Sequence, residues 1–347
     1  MDNEADTKTG RAILKSLDNR RLRLILLPTE KCNFRCTYCY ETFELGQMQA
    51  GVIQGVKNLL AKRADELSTL EIDWFGGEPL LGMRTIENIS LYILHLRHQY
   101  GFDFRSSMTT NAYLLKPALL TQLVNLGVKN YQVTLDGYGE FHDRTRQRKN
   151  RKGSFATIWQ NLLAARNLDL DYRIMLRVHF SPANLEELPL LVDRIKEEFG
   201  NDKRFHVFFK AIGHYGGSND ANVASFGRKS AEKYQGMLLE RLGQTVQGSA
   251  LERDQLYVCY ASEPNSLVIR PNGKIAKCTV AFDDERNDVG VIREDGSLSF
   301  YTERLQLWFK GLHSQDKRDL ACPHSQMGSV QASNTRDVIF QTRIQSG

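Results

Sequence analysis

From the N-terminus to about residue 210, short apolar runs that read as buried strands alternate with longer segments of helical period, and few folds accept that alternation. The strand-like runs are 22–27, 70–75, 104–109, 130–135, 172–179 and 204–210. Between them, 51–63, 85–100, 116–126, 154–167 and 185–199 place apolar residues three and four apart, as a helix with one buried face requires. Strand–helix–strand units of this kind form a parallel sheet through right-handed crossovers. Six such strands predict an α/β fold, a partial (β/α)6 barrel of the TIM type, with its reactive loops at the C-terminal ends of the strands.

The pattern changes after residue 210. A glycine-rich stretch, GHYGGSND at 213–220, leads into helical periodicity over 230–242. Short strands and hairpin chemistry follow, and Pro271-Asn272-Gly273 separates two strand-like runs, its Asn-Gly supplying the positive φ angles of a tight turn. The expected organisation is a tail at 1–21, the barrel at 22–212, a linker and helix at 213–249, and a smaller C-terminal domain at 250–347.

Composition excludes several classes. Across 347 residues the hydrophobic fraction is 41% and the charged fraction 25%, ordinary globular values. No apolar run approaches the roughly 18 residues of a membrane span, and the acidic opening MDNEADTKTGRAILKS lacks a secretory h-region. The expected location is cytoplasmic, with no membrane contact. A net charge of +5 with no sustained basic block gives no basis for nucleic-acid binding. The densest basic cluster, 144–152, reads as a solvated loop. The six cysteines belong to a compartment that keeps thiols reduced, so their spacing carries the information.

Cys32, Cys36 and Cys39 form a CxxxCxxC array directly after the first strand. Three thiolates so close together bind a soft metal or a cluster, and a structural zinc site normally has a fourth Cys or His nearby; none follows in this loop. With three protein thiolates, a [4Fe–4S] cube keeps one iron free for an exogenous ligand. The array, with Tyr38 before its last cysteine, resembles the radical S-adenosylmethionine (SAM) superfamily. The resemblance continues through WFGGEPLL at 74–81, TTN at 109–111, with Ala112 where the family has glycine, and VTLDG at 133–137 followed by HDRTR at 142–146. It implies a cluster on Cys32, Cys36 and Cys39 that binds SAM and cleaves it to a 5′-deoxyadenosyl radical. It further implies SAM contacts from Tyr38, Gly76, Gly77, Glu78, Asn111, Thr134 and Arg146: glycines for close backbone approach, acceptors around Glu78 for the ammonium group, and Thr134 and Arg146 near the ribose and carboxylate.

Cys259, Gly273 and Cys278 follow the CX9–15GX4C spacing that opens the SPASM and twitch extensions of that superfamily, with the Asn-Gly turn folding two thiols together. Cys322 is the third cysteine. The further cysteines of a SPASM domain are replaced by Ser325, Gln331 and Thr335. The resemblance therefore implies one auxiliary [4Fe–4S] cluster on Cys259, Cys278 and Cys322. Its fourth iron is left to Ser325, Asp283, His324, solvent or substrate.

If all six cysteines hold clusters, no thiol remains to return a hydrogen atom, which disfavours a peptide epimerase. An auxiliary electron acceptor suits net oxidation. Similarity to the SPASM/twitch maturases implies oxidative crosslinking (C–C, thioether or ether) of a ribosomally made (RiPP) precursor peptide, with an external flavodoxin- or ferredoxin-type electron donor. The alternatives are a sulfatase-maturase-like side-chain dehydrogenase, a small-molecule dehydrogenase and a non-catalytic iron–sulfur electron carrier. The last of these has no use for the GGE, TTN and TLDG segments. Asp283, Asp284 and His214 are the candidate bases. With about twenty residues before the first strand, a leader peptide is expected to bind the barrel, the C-terminal domain or another chain.

Overall fold

The computed structural model describes residues 10–215, 220–243, 257–327 and 337–340. A short helix, α1 at 10–16, lies in the segment read as a tail. There follow β1 (Arg21–Leu26), β2 (Phe34–Cys36), α2 (Ala50–Arg63), β3 (Thr69–Trp74), α3 (Met83–Tyr100), β4 (Asp103–Thr110), α4 (Pro117–Asn125) and β5 (Val128–Leu135). Next come α5 (Glu140–Thr145), β6 (Arg146–Arg148), α6 (Phe155–Arg166), β7 (Arg173–Phe180), α7 (Leu188–Phe199), β8 (Phe205–Ala211) and α8 (Arg228–Leu242). The C-terminal part holds β9 (Ser266–Ile269), β10 (Lys274–Ala276), β11 (Gly290–Ile292), β12 (Leu298–Tyr301), α9 (Thr302–Trp308), α10 (Lys310–Ser314), α11 (Lys317–Ala321) and β13 (Asp337–Phe340).

The six expected strands are β1, β3, β4, β5, β7 and β8, parallel and side by side in that order. The barrel is open: β8 ends one side of the sheet. On the other side β9 pairs in parallel with β1, Arg23 opposite Ser266, and β10 to β13 continue antiparallel. The C-terminal hairpin thus extends the barrel's own sheet, a pairing that no local pattern announces. Another difference lies at 144–152, part of which is strand: β6 pairs antiparallel with β2 and sets Arg146 opposite Cys36.

The outer face of the sheet is apolar. Leu22, Leu24 and Leu26 of β1, Leu70, Ile72 and Trp74 of β3, and Ile174, Leu176 and Val178 of β7 are buried, in one core with Val56, Ile89, Leu123, Ile158 and Leu191 of the helix layer. Burying each such side chain contributes roughly 1.5–3 kcal/mol. Alternate positions are polar and only partly buried: Arg23, Asp73, Ser107, Gln132 and Arg177 line an inner cavity of about 600 Å³. A parallel sheet covered on both faces has near-continuous apolar strands, so this alternation marks an inner face left open for a ligand. Among the described residues no helix is long and apolar enough to cross a membrane.

A small apolar group, Ile25, Leu27, Val268 and Ala276 with Phe75 and Phe282 against it, seats the C-terminal hairpin on β1. Beside it the carboxylate of Glu30 accepts both Nε and Nη2 of Arg270, at 2.8 and 3.0 Å. This ion pair joins the start of the cysteine loop to the hairpin turn.

Candidate functional site

The loop after β1 brings Cys32, Cys36 and Cys39 to one cavity of about 180 Å³, also bordered by Gly76, Gly77, Asn111, Thr134 and Arg146. All three thiols are free and partly buried. Burial raises all three, Cys39 to about 12. The thiols stand around the cavity wall, and among the described residues no three His, Cys, Asp or Glu side chains converge tightly enough for a single metal ion. The donor set suits the implied cluster: three soft thiols, and across from Cys36 a buried guanidinium whose Nε has no partner.

The two glycines border the cavity and also pack against the cysteine loop. Gly76 has φ +109°, and a Cβ there would sit 2.4 Å from the Thr29 carbonyl; at Gly77 it would sit 2.5 Å from Glu30 O and 2.6 Å from Lys31 O. The close approach they permit is to the cysteine loop's own backbone, which β3's end clasps. Glu78 is held within the fold. Its carboxylate is fully buried, does not border the cavity, and accepts from Leu80 N (3.1 Å), Thr110 Oγ1 (2.8 Å) and Asn111 N (2.8 Å). Burial pushes the carboxyl up while these donors oppose the shift. Glu78 therefore holds the end of β4 in place, and Asn111 reaches the cavity with Nδ2 bonded to Asn33 Oδ1 at 2.8 Å. Ala112, buried, has φ +58°, the left-handed region that favours the glycine it replaces.

Tyr38 and Arg146 belong to a buried polar network of which only part was expected. Arg146 Nη1 donates to the Tyr38 hydroxyl at 2.7 Å, and that hydroxyl donates to Asp136 Oδ1 at 3.0 Å. Thr145 Oγ1 donates to Asp136 Oδ2 at 2.6 Å. Arg177 Nε donates to His179 Nε2 at 2.9 Å, which assigns the proton to Nδ1, 3.2 Å from the Tyr38 hydroxyl and 3.5 Å from Asp136 Oδ1. Burial alone would raise Asp136; the hydrogen bond from His179 and the charge of Arg146 hold it below the usual carboxylate range. Burial likewise opposes the Arg146 charge, but Cys36, Tyr38 and Asp136 hold it well above its ordinary value. Asp136 was visible only as part of the TLDG segment, and His179 and Arg177 reach the site by the strand pairing of β5 with β7.

A larger cleft of about 1060 Å³ opens beside this cavity and shares Cys36, Tyr38, Cys39, Tyr40 and Glu41 with it. Of the three expected bases, Asp283 borders this cleft. Asp284 is instead held by Arg286, through Nε at 2.8 Å and Nη2 at 2.5 Å, and by His324 Nε2 at 2.9 Å; the Arg286 bonds keep its carboxyl well below the usual range. His214 borders neither cavity: its Nδ1 lies 3.2 Å from Asp220 Oδ2 and its Nε2 2.9 Å from Ser225 Oγ. Glu41, which sequence reasoning missed, lines both spaces. Its Oε1 is buried without a partner, and burial, reinforced by Glu30, pushes its carboxyl up to about 8. Its place two residues after Cys39 was the available signal.

Cys259, Cys278 and Cys322 also come together, each within electrostatic reach of the others. Cys259 N donates to Leu320 O at 2.8 Å, drawing the end of α11 toward the hairpin, and burial raises the Cys259 thiol to about 11. Cys278 Sγ accepts Val280 N at 3.4 Å. Lys277, between β10 and Cys278, is fully buried, and burial pushes its ammonium down to about 7. Ser325 is exposed and donates to Cys322 O at 3.0 Å. Gln331 and Thr335 lie outside the described residues.

Residues 26–195 match the family model described as the radical SAM superfamily. Over 215 residues the chain is 26% identical to a GTP 3′,8-cyclase of Campylobacter jejuni subsp. jejuni, covering 61% of this chain and 64% of the cyclase. It is 24% identical over 238 residues to a cysteine-type anaerobic sulfatase-maturating enzyme of Clostridium novyi, covering 64% and 59%. The chain thus spans somewhat under two thirds of the length of these curated relatives. Among solved structures, the fold is similar to anSMEcpe with bound AdoMet and Cp18Cys peptide (TM-score 0.60, 16% identity, 87% of this chain and 88% of that one). It is also similar to Streptococcus suis SuiB bound to precursor peptide SuiA (TM-score 0.54, 15% identity, 79% and 63%). With the cysteine array, the strand-end segments and this architecture, the chain belongs to the radical SAM superfamily.

Proposed function

We propose that this chain is a peptide maturase that oxidatively crosslinks a ribosomally made precursor. The observation that carries the reading is the continuity of the cleft. The cavity at Cys32, Cys36 and Cys39 shares a wall with the 1060 Å³ space reaching Asp283, on the segment that follows Cys278. That volume lies at the upper end of small-ligand pockets and accommodates several residues of an extended chain. Two solved structures of like fold, anSMEcpe and SuiB, hold bound peptides.

The cofactors would supply one hydrogen-atom abstraction by the 5′-deoxyadenosyl group, after a flavodoxin- or ferredoxin-type donor delivers an electron, and an auxiliary [4Fe–4S] cluster on Cys259, Cys278 and Cys322 would accept one electron. Arg146, which borders the cavity beside Cys36, would hold a carboxylate there. Tyr38, fixed by Asp136 and His179, orients that guanidinium. Glu41 and Asp283 are the cleft carboxylates placed to take the proton released as the substrate's new bond forms.

A second reading has an observation of its own: Arg173 and Arg177 line the inner cavity, and their guanidinium groups suit the nucleotide that the cyclase relatives' name implies. Anaerobically reconstituted protein, incubated with SAM, reductant and either a precursor peptide encoded beside its gene or GTP, separates the two. The peptide losing two hydrogens, with 5′-deoxyadenosine formed, is the expected result. Turnover of GTP alone would replace the peptide reading with the nucleotide one.

A further inference from the structure

The ammonium form of Lys277 is expensive to bury, yet no part of the side chain reaches solvent. Its Nζ donates to the backbone carbonyls of Glu263 and Ser266, each at 2.6 Å, and lies 5.2 Å from the centre of the Phe309 ring. An ammonium has three donors, and these carbonyls use two. They solvate the cation in part without neutralising it. Among the described residues no carboxylate stands within ion-pair distance. Glu263 is the carboxylate whose charge it feels, and that group also answers to Arg23 and Arg21. The other anion-forming neighbour is Cys259, and Cys278 is next in the chain. The side chain of Asn287 fixes this stretch, its Oδ1 accepting Lys277 N and Cys278 N, both at 2.9 Å.

We propose that Lys277 is the internal counter-ion of an auxiliary iron–sulfur cluster on Cys259, Cys278 and Cys322, neutralising its thiolates and easing its uptake of an electron. This rests on the reading above that these three thiols hold a cluster. A buried ion left unpaired is strongly unfavourable, whereas one facing an anion in a low-dielectric site is held firmly. Three thiolates outweigh the charge of the oxidised cube, and reduction adds a further negative charge. A fixed cation beside the sulfurs therefore stabilises the reduced form more and raises the potential, net charge being among the properties that set it. The electron it helps to admit is the one the substrate radical gives up as the new bond forms.

The experiment uses full-length protein carrying Cys32→Ala, Cys36→Ala and Cys39→Ala, so that iron reports the C-terminal site alone, with Lys277 intact or changed to Gln or Met. Iron content, an EPR-monitored redox titration and thermal melting of the iron-free form are measured on each. The expected result is equal iron and a midpoint shifted to more negative potential in both variants, or failure to take up iron while the iron-free melting point stays at that of the Lys277 protein. An unchanged midpoint at full iron, or a melting point that falls in the iron-free variants, overturns the proposal, since the lysine would then be a packing element. If the Lys277-intact protein itself takes up no iron, the cluster reading is what fails.

Discussion

His142 lies wholly inside the protein, its Nδ1 facing Asp136 N at 3.4 Å and its Nε2 buried without a partner. Burial lowers its pKa from 6.5 to about 4. The folded state therefore keeps this imidazole neutral at a pH where the unfolded chain protonates it. Its contribution is present above the unfolded pKa and is lost as pH falls from 6.5 toward 4. The size is up to about 3 kcal/mol at the acid end, from roughly 1.4 kcal/mol per pKa unit. Urea unfolding of wild type and His142→Phe between pH 7 and 4 should show a steeper loss in wild type; parallel curves would mean that His142 titrates as it does in the unfolded chain. The same corner shows what a single sequence conveys about a site. Tyr38 and Arg146 could be named because each sits in a recognisable segment, and Asp136 lay in plain view in TLDG. That His179 and Arg177 complete the network depends on register across β5 and β7. A period of two reveals which side chains share a face and says nothing about whom they meet.

At the scale of elements, six strands and five helices were legible because each buries an apolar face of the right period, and the helices end within a few residues of their expected limits. Two pairings were not legible. β2 and β6 span three residues each, too short for a period, and β9 joins β1 through Ile25, Leu27, Val268 and Ala276, contacts far apart in the chain. The Glu30–Arg270 pair that accompanies the second junction makes it testable. Glu30 is almost fully buried and Arg270 partly so, so Arg270→Met leaves an uncompensated carboxylate, at a cost of about 3–5 kcal/mol. Adding Glu30→Met removes that charge, and the double variant should recover most of the loss in denaturant melts. Equal destabilisation by single and double variants would show that the hairpin is held by its apolar contacts alone.

At the scale of the whole molecule, the two thiol groups sit on separate elements of one sheet. Cys32, Cys36 and Cys39 hang from the loop after β1, while Cys259, Cys278 and Cys322 are gathered by β9, β10 and α11. Each group is positioned by its own hydrogen bonds, Cys39 N to Cys36 O on one side and Cys259 N to Leu320 O on the other. Removing either set should therefore leave the other able to load. Reconstituted wild type should hold about eight irons, and either triple Cys→Ala variant about four. SAM binding, followed by equilibrium dialysis, separates the two halves: it should survive loss of Cys259, Cys278 and Cys322 and vanish with Cys32, Cys36 and Cys39, because Asn111, Thr134 and Arg146 border only the latter cavity. About four irons in wild type, untouched by the C-terminal substitutions, would remove the electron acceptor. It would leave Cys259, Cys278 and Cys322 as free thiols able to return a hydrogen atom, and the epimerase chemistry set aside on cysteine count would become the better account of the cleft.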